Sequence, residues 1–240
     1  MAISTSNDQV KIQVSLVDPL LDALSRRIDE GCLRRDCFLD RVISVELDYL
    51  EKEVGTPNSP EARQFIRRSL KDLRRSSTTV KLRSKTIARL NAICRSKRVV
   101  RDAFFNRIVF CLLAPRRTLN AIFGIGPFER KVAREWELPT DQHGWQPLRL
   151  AGELVSDPFW HIRACLEEAG SDNEVGNFYT AYIPENLFGD PKKALKPGER
   201  PVPSTIGFNV YLPDEMVPDH PAHEAMLKAL DIKLDELRRS

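Results

Sequence analysis

The chain has 240 residues, 42% of them hydrophobic and 30% charged, an ordinary globular composition that sustains a buried core. Its net charge of +3 is unevenly distributed: residues 1–59 carry −4, residues 60–107 carry +12 and residues 108–240 carry −5. There is neither a charged-then-apolar leader nor a run of about 18 apolar residues, and the five cysteines match no zinc-ribbon or CxxC spacing. Secretion and membrane spanning are therefore not expected, and the thiols are read as reduced side chains of a cytoplasmic protein with no metal and no cofactor.

After a flexible N-terminus at residues 1–9, KIQVSLV alternates Ile12, Val14 and Leu16 with Lys11, Gln13 and Ser15, which predicts a half-buried strand. Asp18 followed by Pro19 predicts a helix start with aspartate as N-cap. Leu21, Leu24 and Ile28 continue at helical spacing, and Gly31 is expected to close the helix in a left-handed conformation. A second helix carries Phe38, Val42 and Val45 on one stripe and runs to about Glu53.

GTPNSP reads as a plain linker, and PEARQFIRRSLKDLRR as a basic amphipathic connector helix. Its Arg63, Arg67, Arg68, Arg74 and Arg75 either extend a phosphate-binding track or form a solvated face. The first pattern then returns. TTVKLR turns Val80 and Leu82 inward and Thr79, Lys81 and Arg83 outward, Ser84 is the cap, and Ile87, Leu90 and Cys94 follow at helical spacing. Phe104, Ile108 and Cys111 form the last stripe before Pro115.

Offset by 66 residues, Val14–Ile43 aligns without a gap to Val80–Val109. Identities fall at Val14/Val80, Leu16/Leu82, Leu24/Leu90, Arg35/Arg101, Asp36/Asp102, Phe38/Phe104 and Arg41/Arg107. Matches that concentrate on apolar positions with structural periods mark an internal repeat. One strand and two helices do not bury their apolar faces alone, whereas two such units do if their strands pair antiparallel.

GCLRRDCFLDRVI and KRVVRDAFFNRIV, each preceded by an alternating strand and a helix, resemble the ribbon-helix-helix superfamily of the Arc, MetJ and CopG repressors. Both copies lie in one chain, as in its tandem TraY-like members. The resemblance implies copies at residues 10–53 and 77–115 joined by a 54–76 linker with its basic helix. The implied fold is a mainly α pseudo-dimer with a two-stranded antiparallel ribbon and four helices. It further implies a sequence-specific regulator of double-stranded DNA that inserts the ribbon in the major groove. Base-reading residues would be Lys11, Gln13, Ser15, Thr79, Lys81 and Arg83, and phosphate-contacting residues Arg34, Arg35, Lys85, Lys97, Arg98 and Arg101. The chain departs from the family at Leu33 and Val99, where the family usually places a capping Ser or Thr.

Residues 116–240 are read as an α+β domain. Helices are expected near 127–136 and 158–169, strands near 177–183 and at IGFNVYL, and a final helix from Pro221 to about Arg238. A loop holds Pro191, Pro197, Pro201 and Pro203. Asp219, His220, His223 and Glu224 cluster in DHPAHE without a distant ligand set, which reads as a polar helix start rather than a metal site. GIGPF lacks the third glycine of a dinucleotide motif. No catalytic residues are assigned. The alternative function is an antitoxin or adaptor that binds a protein partner through residues 116–240, and further oligomerisation stays open.

Overall fold

The computed structural model describes residues 8–127, 157–169, 176–187, 189 and 204–239. The helix expected near 127–136 and the proline-rich loop at 191–203 lie outside them, as do residues 1–7. Among the described residues the chain is mainly helical with one small two-stranded antiparallel sheet. Strand β1 (Gln9–Val17) leads into α1 (Asp18–Glu30) and α2 (Arg35–Glu53), α3 (Pro60–Lys71) connects, and β2 (Arg75–Arg83) leads into α4 (Ser84–Ser96) and α5 (Arg101–Leu113). Then come α6 (Arg116–Phe123), α7 (Trp160–Ala169), short 3-10 turns at Ile206–Phe208 and Asp214–Met216, and α8 (Pro221–Arg239).

The alternating residues do what their period dictates. Val14, Leu16, Val80 and Leu82 are buried, while Lys11, Gln13, Thr79, Lys81 and Arg83 are exposed. The register sets Gln13 opposite Thr79, so the central residue of β1 faces the residue 66 positions later, its own repeat equivalent. Packing is crossed between the copies: α2 lies on β2 and α4, while α5 lies on β1 and α1. Neither copy closes its core without the other. Leu39, Val42, Ile43 and Leu47 of α2 and Phe104, Phe105, Ile108 and Val109 of α5 belong to one buried cluster. Each such side chain contributes roughly 1.5–3 kcal/mol on leaving water.

The helix starts differ from the sequence expectation. Asp18 and Ser84 are the first helical residues, preceded by Val17 and Arg83, and neither of those makes a side-chain cap. The reason is cross-strand bonding: the Asp18 amide donates to the Arg74 carbonyl at 3.2 Å, and the Ser84 amide to the Asp8 carbonyl at 2.9 Å. Asp18 instead pairs with Arg74 at 2.9 Å, and the Ser84 hydroxyl donates to Asp8.

The turns between helices are also corrected. Gly31 has φ −85° and Lys97 φ −91°, and the left-handed residues are the next ones, Cys32 at φ 50° and Arg98 at φ 52°. A Cβ at Gly31 would be tight, 3.2 Å from the Arg27 carbonyl oxygen and 3.3 Å from Leu33 Cγ.

The GTPNSP linker is not plain. Buried Asn58 donates from Nδ2 to the Val210 carbonyl at 2.9 Å and accepts the Leu212 amide at 3.0 Å. Asn209 does the same for Ile183, accepting its amide at 2.8 Å and donating to its carbonyl at 2.9 Å. These side-chain amides take the backbone bonds that strand partners would otherwise supply. Accordingly, the strands expected at 177–183 and 206–212 do not form, although Ile206, Phe208, Val210 and Leu212 are all buried. Among the described residues of 116–240 there is no strand, and Phe178, Tyr179, Ile183 and Phe208 belong to the same apolar cluster as the repeat helices. The final helix and the one expected near 158–169 are present.

Candidate nucleic-acid interface

Residues directly opposite in an antiparallel pair share a face. The outer face of the ribbon therefore carries the rungs Gln9–Arg83, Lys11–Lys81, Gln13–Thr79 and Ser15–Ser77. All six residues expected to read bases stand on this face. Opposed like charges destabilise a rung, and among the described residues neither Lys11 nor Lys81 has an acidic partner.

Arg83 is held differently. Its Nε donates to Asp40 Oδ2 at 2.6 Å and its backbone amide to Asp40 Oδ1 at 2.8 Å. Asp40 is 8% exposed, so the guanidinium is drawn toward α2 rather than projecting from the rung. The equivalent contact recurs 66 residues away: Asn106 Oδ1 accepts the Val17 amide at 3.0 Å, and its Nδ2 donates to the Ser15 carbonyl at 2.9 Å. Sequence reasoning missed Asp40 and Asn106. The available signal was a polar pair at aligned positions inside two apolar stripes.

Two residues expected to contact phosphate anchor the ribbon centre. Arg35 donates to the Thr79 carbonyl at 2.7 Å, and Arg101 to the Gln13 carbonyl at 2.9 Å. These bonds too are related by the 66-residue offset, and they fix the backbone of the middle rung from both sides. Lys97 Nζ donates to the Gly55 carbonyl at 3.4 Å and Arg98 to the Asn58 carbonyl at 3.3 Å. Arg34 and Lys85 are exposed, with no ion pair among the described residues. The N-termini of α2 and α5 have no side-chain cap, in keeping with Leu33 and Val99, so no side chain satisfies their first amides.

The basic stretch of the sequence is partly neutralised in space. Arg74 pairs with Asp18, Arg75 lies 3.9 Å from Asp102, Arg68 pairs with Asp219, and Arg89 reaches Asp48 and Glu51. Arg67 is exposed and Arg63 half-buried, with its Nε atom buried and unbonded.

A second polar cluster lies between α2 and the C-terminal segment. Arg163 pairs with Glu46 at 2.9 Å, Glu53 at 2.7 Å and Asp157 at 2.5 Å, and stacks over Tyr49 at 3.7 Å. Tyr179 donates its hydroxyl to Glu46. Burial pushes the Glu46 carboxyl up to about 7 despite the opposing pull of Arg163. Nearby, Arg107 is fully buried and donates to the carbonyls of Phe178 and Ala181. Burial lowers its pKa and leaves Nη1 without a partner.

Burial raises the thiols of Cys94, Cys111 and Cys165 to about 11, 12 and 11. It lowers His161 to about 3, so that ring is neutral. Such thiols are poor nucleophiles. In DHPAHE, Asp219 pairs with Arg68, His220 lies 3.5 Å from Asp214 and accepts the Ala222 amide, and His223 meets the Glu215 carbonyl. Asp219, His220 and His223 fasten the start of α8, Glu224 is exposed, and among the described residues the four share no metal-holding centre. Comparison of the chain with protein-family models, with curated proteins and with solved structures returns no match.

Proposed function

We propose that the two copies form a single-chain ribbon-helix-helix unit that binds double-stranded DNA sequence-specifically, as a transcriptional regulator, by laying β1 and β2 in the major groove. The observation that carries this reading is the Lys11–Lys81 rung beside Gln13–Thr79 on an outward face whose backbone is braced by Arg35 and Arg101. A two-stranded ribbon fits the major groove, where Lys suits guanine O6 and N7 and Gln suits adenine. A like-charge rung is unfavourable in the free protein and becomes favourable against an electronegative groove.

The register makes the reading surface polar along its length. Both lysines fall on one rung and both serines on the rung four residues away, across the central Gln13–Thr79 pair. A homodimeric ribbon would repeat each charge at both ends. This one places both lysines toward one end and both serines toward the other, so its subsite is non-palindromic and richer in guanine on the lysine side. Base reading rests on Lys11, Gln13, Ser15, Thr79 and Lys81, with Arg83 anchoring the strand to Asp40. Arg34, Lys85 and the uncapped amides of α2 and α5 supply phosphate contacts.

Electrophoretic shifts on a pool of duplex fragments test the reading. Wild type is expected to bind with an affinity that falls steeply with salt. Lys11→Ala/Lys81→Ala should lose at least about tenfold in affinity and flatten the salt slope by about 2. Absence of salt-sensitive binding, or an unchanged double variant, overturns it.

A further inference from the structure

Helix α8 spans 19 residues, about 28 Å, and packs at its start against the Asp214–Met216 turn. Among the described residues five large apolar side chains are exposed, and four gather here: Met216 at 42%, Leu227 at 46%, Leu230 at 48% and Ile232 at 62%. Helices of this length are held in proteins chiefly by packing of an apolar face. The sequence continues the spacing of Leu227 and Leu230 with Leu234 and Leu237, so leucines recur at intervals of three, four and three. That is the a/d period of 3.5 that keeps a seam facing a partner helix; Ile232 lies outside it.

We infer that α8 is a self-association helix that pairs antiparallel with α8 of a second copy. A seam with heptad period requires a partner helix with the same period, and a second copy supplies one by symmetry. Charge selects the orientation. By heptad position in the sequence, pairing 227 with 237 and 230 with 234 of the second copy sets position 224 against 238, a glutamate against an arginine, and the two-fold repeats that attraction. The cost is Asp231 against Asp231 and Lys233 against Lys233 at the centre. A parallel pairing would set position 233 against 238 twice, a lysine against an arginine, and gain no attractive pair. This inference is independent of DNA binding, and a single-chain ribbon needs no second copy to be complete.

The full chain in sedimentation equilibrium tests it. Wild type is expected to dimerise with concentration, Leu227→Asp/Leu230→Asp to be monomeric with unchanged helical circular dichroism, and Asp231→Asn to dimerise more tightly than wild type. Glu224→Arg should weaken the dimer, and Glu224→Arg/Arg238→Glu should restore it. A wild type that stays monomeric at high micromolar concentration overturns the inference and leaves the stripe to another protein. Dimerisation unaffected by the leucine substitutions overturns it as well. A charge swap that fails to restore affinity overturns the antiparallel arrangement.

Discussion

Arg41 and Arg107 occupy the same position of the repeat and have opposite fates. Arg41 is exposed on α2, whereas Arg107 is wholly buried on α5 beneath Phe178, donating to the Phe178 and Ala181 carbonyls. Nothing within the repeat distinguishes them. The difference comes from residues 178–181, which pass over α5 and close a layer of aromatic rings around the guanidinium, with Phe178 5.5 Å and Phe123 5.8 Å away. Symmetry inside the repeat therefore coexists with asymmetry imposed by the rest of the chain. The cross-strand contacts belong to the first kind and the buried charges to the second.

The widest separation is expected on deleting each arginine. Arg107→Ala leaves two buried carbonyls short of donors and opens a cavity, costing about 3–5 kcal/mol. Arg41→Ala, at an exposed site, should fall within about 0.5 kcal/mol of wild type. Urea midpoints at constant m-value measure both. Arg107→Met, which keeps volume without donors, should recover part of the loss. Equal costs at positions 41 and 107 would mean that the C-terminal segment does not bury α5 in solution.

The same comparison shows what the sequence made legible. Strand alternation, helix spacing and the 66-residue offset located β1, β2, α1, α2, α4 and α5, because each is set by local period and by a repeat that duplicates it. The exposed face of the ribbon followed from the same alternation. What escaped was long-range. Arg35 and Arg101 read as phosphate ligands from their place at a helix start, but each lies within reach of the opposite strand's central carbonyl. No period encodes that approach. The segment 206–212 alternates like a strand and is buried like one, yet Asn58, some 150 residues earlier in the chain, takes its backbone bonds. A single asparagine in a linker carries no sequence sign of that role. Arg163 and Glu46 likewise look like surface charges on amphipathic helices until their elements meet.

The second test concerns that meeting. Glu46, on α2, is sealed from water by the segment that also covers Arg107, and its equivalent at position 112 is a leucine. Burial raises its carboxyl from 4.5 to about 7, so between those values the folded protein holds a proton that the unfolded chain releases. The resulting stability is fully present below about pH 4.5 and is lost as pH rises through about 7, up to about 3 kcal/mol. Between about pH 5 and pH 8 the melting temperature of wild type should fall relative to that of Glu46→Gln, which keeps a hydrogen-bonding side chain without the charge. Parallel profiles for the two proteins would place the carboxyl in water and break the contrast between the buried and open sides of the repeat.

The smallest effect probes the symmetric part. Cys32 and Arg98 hold the same left-handed turn 66 residues apart, a conformation that costs a residue with a Cβ roughly 1–2 kcal/mol. Glycine removes that strain and gives back part of the gain through its freer unfolded state, so Cys32→Gly should stabilise by about 0.5–1 kcal/mol. Arg98→Gly releases the same strain but forfeits the guanidinium bond to the Asn58 carbonyl, in the linker that holds residues 210–212. Its net gain should be smaller, or reversed. Denaturation of both variants side by side separates the two contributions: the shared gain belongs to the turn that the repeat duplicates. The shortfall at position 98 measures how far the C-terminal segment, through Asn58, has drawn the second turn into its own packing.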